Sequence, residues 1–184
     1  MGVYHLLAQA FPIVLWNTAF LFTIIRAFSD AALARRLGDT VTALTFLGVL
    51  AGAVTYALGF LIWPFSALIS SPLVRDHIML ASWSLAFWTV VLVFSWRLGE
   101  SKWQGANRWI MAGLVTLGAA LVNITGTLGG SVAHNPSAVG DVVRFLLSWT
   151  IYTTHYVPDI TLWLLAAAAV ALIVIGVRGR RRRT

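Results

Sequence analysis

Five long apolar stretches, separated by short polar loops, constrain this chain more than any other feature. A bilayer core takes roughly 20 consecutive apolar residues in a helix. The stretches near 3–28, 40–65, 76–98, 108–132 and 158–177 supply that length. Only 10% of the residues are charged, against about 25% in an ordinary soluble domain, and the mean hydropathy is +0.85. So few charges cannot cover a water-facing surface. The sequence therefore predicts an all-α integral membrane protein in three parts. These are a four-helix transmembrane bundle over 1–137, an interfacial amphipathic segment over 138–157, and a fifth C-terminal transmembrane helix with a basic tail over 158–184.

The basic residues orient the spans. Arg26, Arg35 and Arg36 flank the first loop and Arg97, Lys102 and Arg108 the third. Arg178 and Arg180 to Arg183 follow the fifth span. The opposite side receives only Arg75 and Arg144. Basic loops stay in the cytoplasm, so the expectation is an N-terminus outside and a C-terminus inside, in the cell inner membrane. The net charge of +7 is then an anchor for lipid headgroups at the tail, and no nucleic-acid partner is expected. The first residues lack the basic segment that opens a signal peptide. Cysteine is absent, which excludes disulfides, thiolate metal sites and iron–sulfur clusters held by this chain.

With this orientation all four histidines fall near the outer interface: His5 opens the first span, His77 the third, His134 follows the fourth and His155 precedes the fifth. Polar groups placed in or at a membrane tend to mark function. Imidazoles gathered at one level suit a haem iron, which takes one or two axial histidines. Gly126, Gly129 and Gly130 near the end of the fourth span offer a slot for a bulky group. Arg75 and Arg144 suit its carboxylates. Phe11, Trp16, Trp83 and Trp88 are candidates for pocket lining or for packing, and Asn17 and Asn123 for an interhelical hydrogen bond. Gly48 and Gly52 form a small-residue pair that lets helices approach. Residues 141–149 have helical apolar spacing behind an Asp cap and read as a segment lying in the interface. No internal repeat is evident by inspection.

Two motifs resemble a known family. His5-Leu-Leu-Ala-Gln-Ala-Phe-Pro-Ile13 is similar to the His-Pro-Leu-Leu-Val-His-Phe-Pro-Ile opening of a widespread family of small bacterial membrane proteins of unknown function. That family has a His at the head of its third helix and closes its fourth with Thr-Gly-x-Leu-Gly-Gly and a nearby His. His77, Thr125 to Gly130 and His134 stand in the corresponding places. The family's first Pro is Leu6 here and its second His is Ala10. The resemblance covers about the first 137 residues and implies a haem-binding b-type cytochrome, with His77 and His134 as the first choice of ligand pair, then His5, then His155.

The expected function is thus a membrane-embedded b-type cytochrome carrying one or two haem b groups near the outer face. It would exchange electrons with a quinone or with other membrane or periplasmic redox subunits. The rival from a different class is a cofactor-free accessory or anchoring subunit of a larger membrane complex. A copper or zinc site on the same histidines is a further rival.

Overall fold

The computed structural model describes residues 2–62, 66, 70–134 and 138–146, with seven positions between 160 and 174. Every element among them is helical. They are α1 (Gly2–Phe28), α2 (Ala32–Phe60), α3 (Pro72–Leu98), a 3-10 turn (Gly99–Trp103), α4 (Gly105–Val132) and α5 (Ala138–Leu146). α1 to α4 are each long and apolar enough to cross a membrane. The fifth span lies largely outside the described residues, as does His155.

α2 begins earlier than its apolar run. The stretch 29–39 reads as a polar loop, yet the helix takes it up from Ala32. Ala, Leu and Arg are good helix formers, and a helix of 29 residues is about 43 Å long, longer than the roughly 30 Å of hydrocarbon. The first turns of α2, with Arg35 and Arg36, are an extension past the apolar zone. α3 likewise begins at Pro72, in the first-turn position where a missing N–H is harmless. α4 does not end at its glycines. It runs through Gly126, Gly129 and Gly130 to Val132 and stops where His134 takes φ 55°, the left-handed conformation that closes many helices.

The four helices form a square. α1 packs on α2 and α4, and α3 packs on α4 and α2, so α1 and α3 stand across a diagonal. They meet at the centre, where Trp16 stacks on Trp88 with centroids 5.3 Å apart and planes 2° apart. Each indole lies against glycine. A Cβ on Gly48 would come within 2.4 Å of Trp16 Nε1, and one on Gly118 within 2.8 Å of Trp88 Cε2. The Gly48–Gly52 pair therefore seats a tryptophan, since a Cβ on Gly52 would also meet the Trp16 ring at 2.8 Å.

Hydroxyls inside the spans turn back on their own helices, as lipid demands of any polar group. Thr23 donates to Ala19 O, Thr45 to Val41 O, Thr55 to Ala51 O and Thr125 to Leu121 O, all at 2.8 Å. Asn17 and Asn123 join α1 to α4 by a reciprocal amide pair, with Asn123 Nδ2 donating to Asn17 Oδ1 at 2.8 Å and Asn17 Nδ2 to Asn123 Oδ1 at 3.4 Å.

One end of the square is closed by cations. The Trp103 ring lies between the Arg26 guanidinium and the Lys102 ammonium, 5.6 and 5.3 Å from its centroid. Lys102 also donates to Thr42 Oγ1 at 2.8 Å. Asp30 accepts from Arg26 and, at 3.1 Å, from Arg108.

The hydrogen bonds and burial reveal a repeat that inspection of the sequence misses. On α1, Pro12, Trp16, Ala19 and Thr23 are buried, and Ser84, Trp88, Val91 and Ser95 are buried at matching positions on α3. On α2, Val41, Thr45, Gly48, Gly52 and Thr55 are buried, and Met111, Val115, Gly118, Val122 and Thr125 match them on α4. In that register Leu44-x-x-Leu-Gly48 and Thr55-x-x-Leu-Gly59 align with Leu114-x-x-Leu-Gly118 and Thr125-x-x-Leu-Gly129.

Candidate functional site

At the end opposite the cations the helices surround an open-mouthed cavity of about 170 Å³. Its polar groups are few: His5, Gln9, Thr55 and Tyr56 from the first two helices, and His77, Ser84 and Thr125 from the next two. Trp16 forms the floor with Ile13, Leu85 and Val122 beside it. Trp16 Nε1, which lies against Gly48, is buried without a hydrogen-bond partner among the described residues, whereas Trp88 Nε1 donates to Gly118 O at 3.0 Å.

Two imidazoles enter this cavity, and both are held in one way. His5 Nδ1 is 3.1 Å from Thr55 O, and His77 Nδ1 is 3.1 Å from Thr125 O. A carbonyl oxygen only accepts, so in each ring Nδ1 carries a proton and donates it. A hydrogen bond of this kind fixes the orientation of each ring. Each threonine carbonyl is exposed to its histidine because its own helix is thin one turn later. A Cβ at Gly59 would lie 3.2 Å from His5 Cε1, and one at Gly129 would lie 2.9 Å from His77 Cε1. Glycine at these two places lets the Cε1 edge of the ring come close to the neighbouring helix.

The remaining sequence-selected residues are distributed unevenly. Gly126 and Gly129 line the cavity and Gly130 does not. A Cβ on Gly126 would meet Ile13 Cδ1 at 3.1 Å. His134 is exposed in the turn that ends α4, with its N–H bonded to Ser131 O at 3.2 Å. The structure thus groups His77 with His5 and leaves the preferred partner His134 outside the wall. Arg75 is buried at 5% exposure in the first turn of α3, two residues before His77. Arg144 lies on α5, and its side chain, like His155, falls outside the described residues. Trp16 and Trp88 are core residues, while Phe11 is 63% exposed on the apolar outside of α1.

Sequence reasoning missed Thr55, Gly59, Gln9 and Tyr56. A signal for them existed in helical spacing: His5, Gln9, Pro12 and Trp16 recur on one face of α1, and His77, Ala81, Ser84 and Trp88 on one face of α3. Among the described residues, no three His, Asp or Glu side chains come together as a metal-ion cage. What the arrangement offers is a pair of Nδ1-anchored imidazoles lining an apolar hollow beside the Trp16 ring. No family model, curated protein or solved structure matches this chain.

Proposed function

We propose that this is a membrane-embedded b-type cytochrome, with haem b held by His5 and His77 at the outer face of a cell inner membrane. The single observation that carries the reading is that two Nδ1-anchored imidazoles line one cavity. The donor chemistry fits: iron in such a protein takes one or two axial histidines, and neutral imidazole with a hydrogen-bonded second nitrogen is the form that binds metal. The hollow itself, at about 170 Å³, is smaller than cofactor sites of about 300 to 1,000 Å³, so a porphyrin would need the helices at the mouth to part.

When bound, haem supplies one-electron transfer, with a potential set by its ligands and by how dry its surroundings are. The chain's own residues do the rest. Thr55 O and Thr125 O hold the two protons on Nδ1. Gly59 and Gly129 let the rings seat. Trp16, Ile13, Leu85 and Val122 exclude water from the floor. Arg75, at the head of α3, supplies positive charge on the level of the mouth for the carboxylates of a porphyrin. The similarity of His77 and of Thr125 to Gly130 to the bacterial family's motifs points the same way. The electron partner is a quinone in the bilayer or a redox subunit that approaches the mouth, and the basic tail holds the cytoplasmic lipid headgroups.

The test is a dithionite-reduced minus oxidised spectrum of the full chain in mild detergent after expression with ample haem, with a pyridine haemochrome assay for haem type. A b-type α-band supports the reading. A folded, colourless protein contradicts it and leaves an anchoring subunit.

A further inference from the structure

Two seams join the α1–α2 hairpin to the α3–α4 hairpin, and they are built differently at the level of the cavity. The α1–α4 seam is close. Asn17 and Asn123 pair across it. A Cβ on Gly126 would meet Ile13 Cδ1 at 3.1 Å, and one on Gly129 would meet Gln9 Oε1 at 3.2 Å, so α4 approaches α1 more nearly than a side chain would allow. The glycines of α2 instead turn towards α1, where Gly52 meets Trp16 and Gly59 meets His5. Towards α3, a Cβ on Gly52 would reach Leu85 Cδ1 at 3.4 Å, an ordinary contact. What fastens the α2–α3 seam here is a pair of hydroxyls, with Tyr56 Oη 2.6 Å from Ser82 Oγ. Ser82 spends its one proton on Ile78 O at 2.8 Å, so Tyr56 donates and Ser82 accepts.

The same seam is also tied at the cation end. Thr42 Oγ1 and Ser95 Oγ are 2.7 Å apart, and Lys102 donates to Thr42 Oγ1 at 2.8 Å. That tie is about 21 Å from Tyr56 along α2, at 1.5 Å per residue. The hairpins are thus held along α1–α4 and at the far end of α2–α3. A small rigid rotation of one hairpin on the other opens the bundle at the outer end of α2–α3. The cavity wall there is apolar: Phe60 and Ile62 come from the end of α2, and Val74 and Ile78 from the start of α3.

We infer that the outer end of the α2–α3 seam is a lateral portal from the bilayer, latched by the Tyr56–Ser82 hydrogen bond, and that the cavity takes an amphipathic ring compound dissolved in lipid. The hollow of about 170 Å³ is the latched state. An apolar rim favours a ligand arriving from hydrocarbon over one arriving from water. The choice of porphyrin as that ligand rests on the haem reading above, and the parting of helices that a porphyrin needs then takes place between α2 and α3.

The experiment is electron paramagnetic resonance of the full chain in liposomes. The chain has no cysteine, so nitroxides attach only where one is introduced. The pair Leu61→Cys with Leu73→Cys spans α2–α3, and Leu7→Cys with Ala133→Cys spans α1–α4. Tyr56→Phe and Ser82→Ala should each raise the longer-distance population of the α2–α3 pair about three-fold, the factor that one interhelical hydrogen bond in a bilayer carries. The α1–α4 distance should stay as it is. A nitroxide at Ile78→Cys should be relaxed more by oxygen, which dissolves in lipid, than by a water-soluble nickel chelate. Haemin added to the liposomes should load both latch variants faster than the wild type. Lengthening across α1–α4, unchanged distances at both seams, dominant relaxation by the nickel chelate, or equal rates of haemin loading would overturn the portal. A wild type that takes up no haemin would overturn the cytochrome reading, while the distances and the relaxation still decide the portal by themselves.

Discussion

Trp16 and Trp88 stack face to face across the centre of the bundle, 5.3 Å apart with planes 2° apart, and each indole is seated on a glycine of the partner helix in its own hairpin. Gly48 has no room for a methyl group against Trp16, nor Gly118 against Trp88. Overpacking a core of this kind costs about 1–3 kcal/mol. Gly48→Ala and Gly118→Ala should each lower stability by that amount, measured by denaturant or thermal unfolding in detergent. Gly113→Ala is the control, because its Cβ would meet nothing within 4 Å and alanine is the better helix former. Equal behaviour of the three variants would contradict the packing described.

The amide pair Asn17–Asn123 is the polar link between α1 and α4 within the membrane zone. Such links contribute on the order of 1 kcal/mol, and removing one partner leaves the other amide unmatched in an apolar setting. Asn17→Leu and Asn123→Leu should each destabilise, while the double variant should lose less than the two together. A double-mutant cycle on unfolding free energies reads this directly, and strict additivity would show that the amides do not interact.

Asp30 lies outside the spans, between α1 and α2. Hydrogen bonds from Arg26, and next from Arg108, hold its carboxyl below the ordinary value of 3.8. A carboxylate whose value is lower in the folded state adds stability above its unfolded value and loses it as pH falls through the folded one. The advantage of the wild type over Asp30→Asn should therefore be level at neutral pH and disappear below about pH 4. Because Asp30 is exposed, the difference should be small and should shrink in high salt. An advantage that grows on acidification would contradict the assignment.

How far the sequence reached can be seen at particular residues. The four spans of the bundle follow from apolar length alone, because lipid leaves the backbone few choices. Their limits do not, since Arg35 and Arg36 look like a loop and are helix. Asn17 and Asn123 were legible as an interhelical bond from their rarity. His77, His5 and Gly129 stand out in the sequence and line one cavity, but that grouping was not legible. His134 follows Gly130 in the chain, yet one more turn of helix and a left-handed backbone place it outside the wall. Thr55 and Thr125 act through backbone carbonyls, which no side-chain motif announces. The repeat escaped notice because its matched residues are Leu, Gly and Thr, all common in membrane helices, and only contacts supply the register.

The central claim is that His5 and His77, and not His134, hold one haem between the two hairpins. The most direct measurement is the reduced minus oxidised spectrum, with haem quantified per chain, of wild type, His5→Ala, His77→Ala and His134→Ala purified side by side. The account predicts a b-type α-band with one haem per chain in the wild type and in His134→Ala, and loss of that spectrum in both His5→Ala and His77→Ala. A band that survives His5→Ala but vanishes in His134→Ala would contradict it.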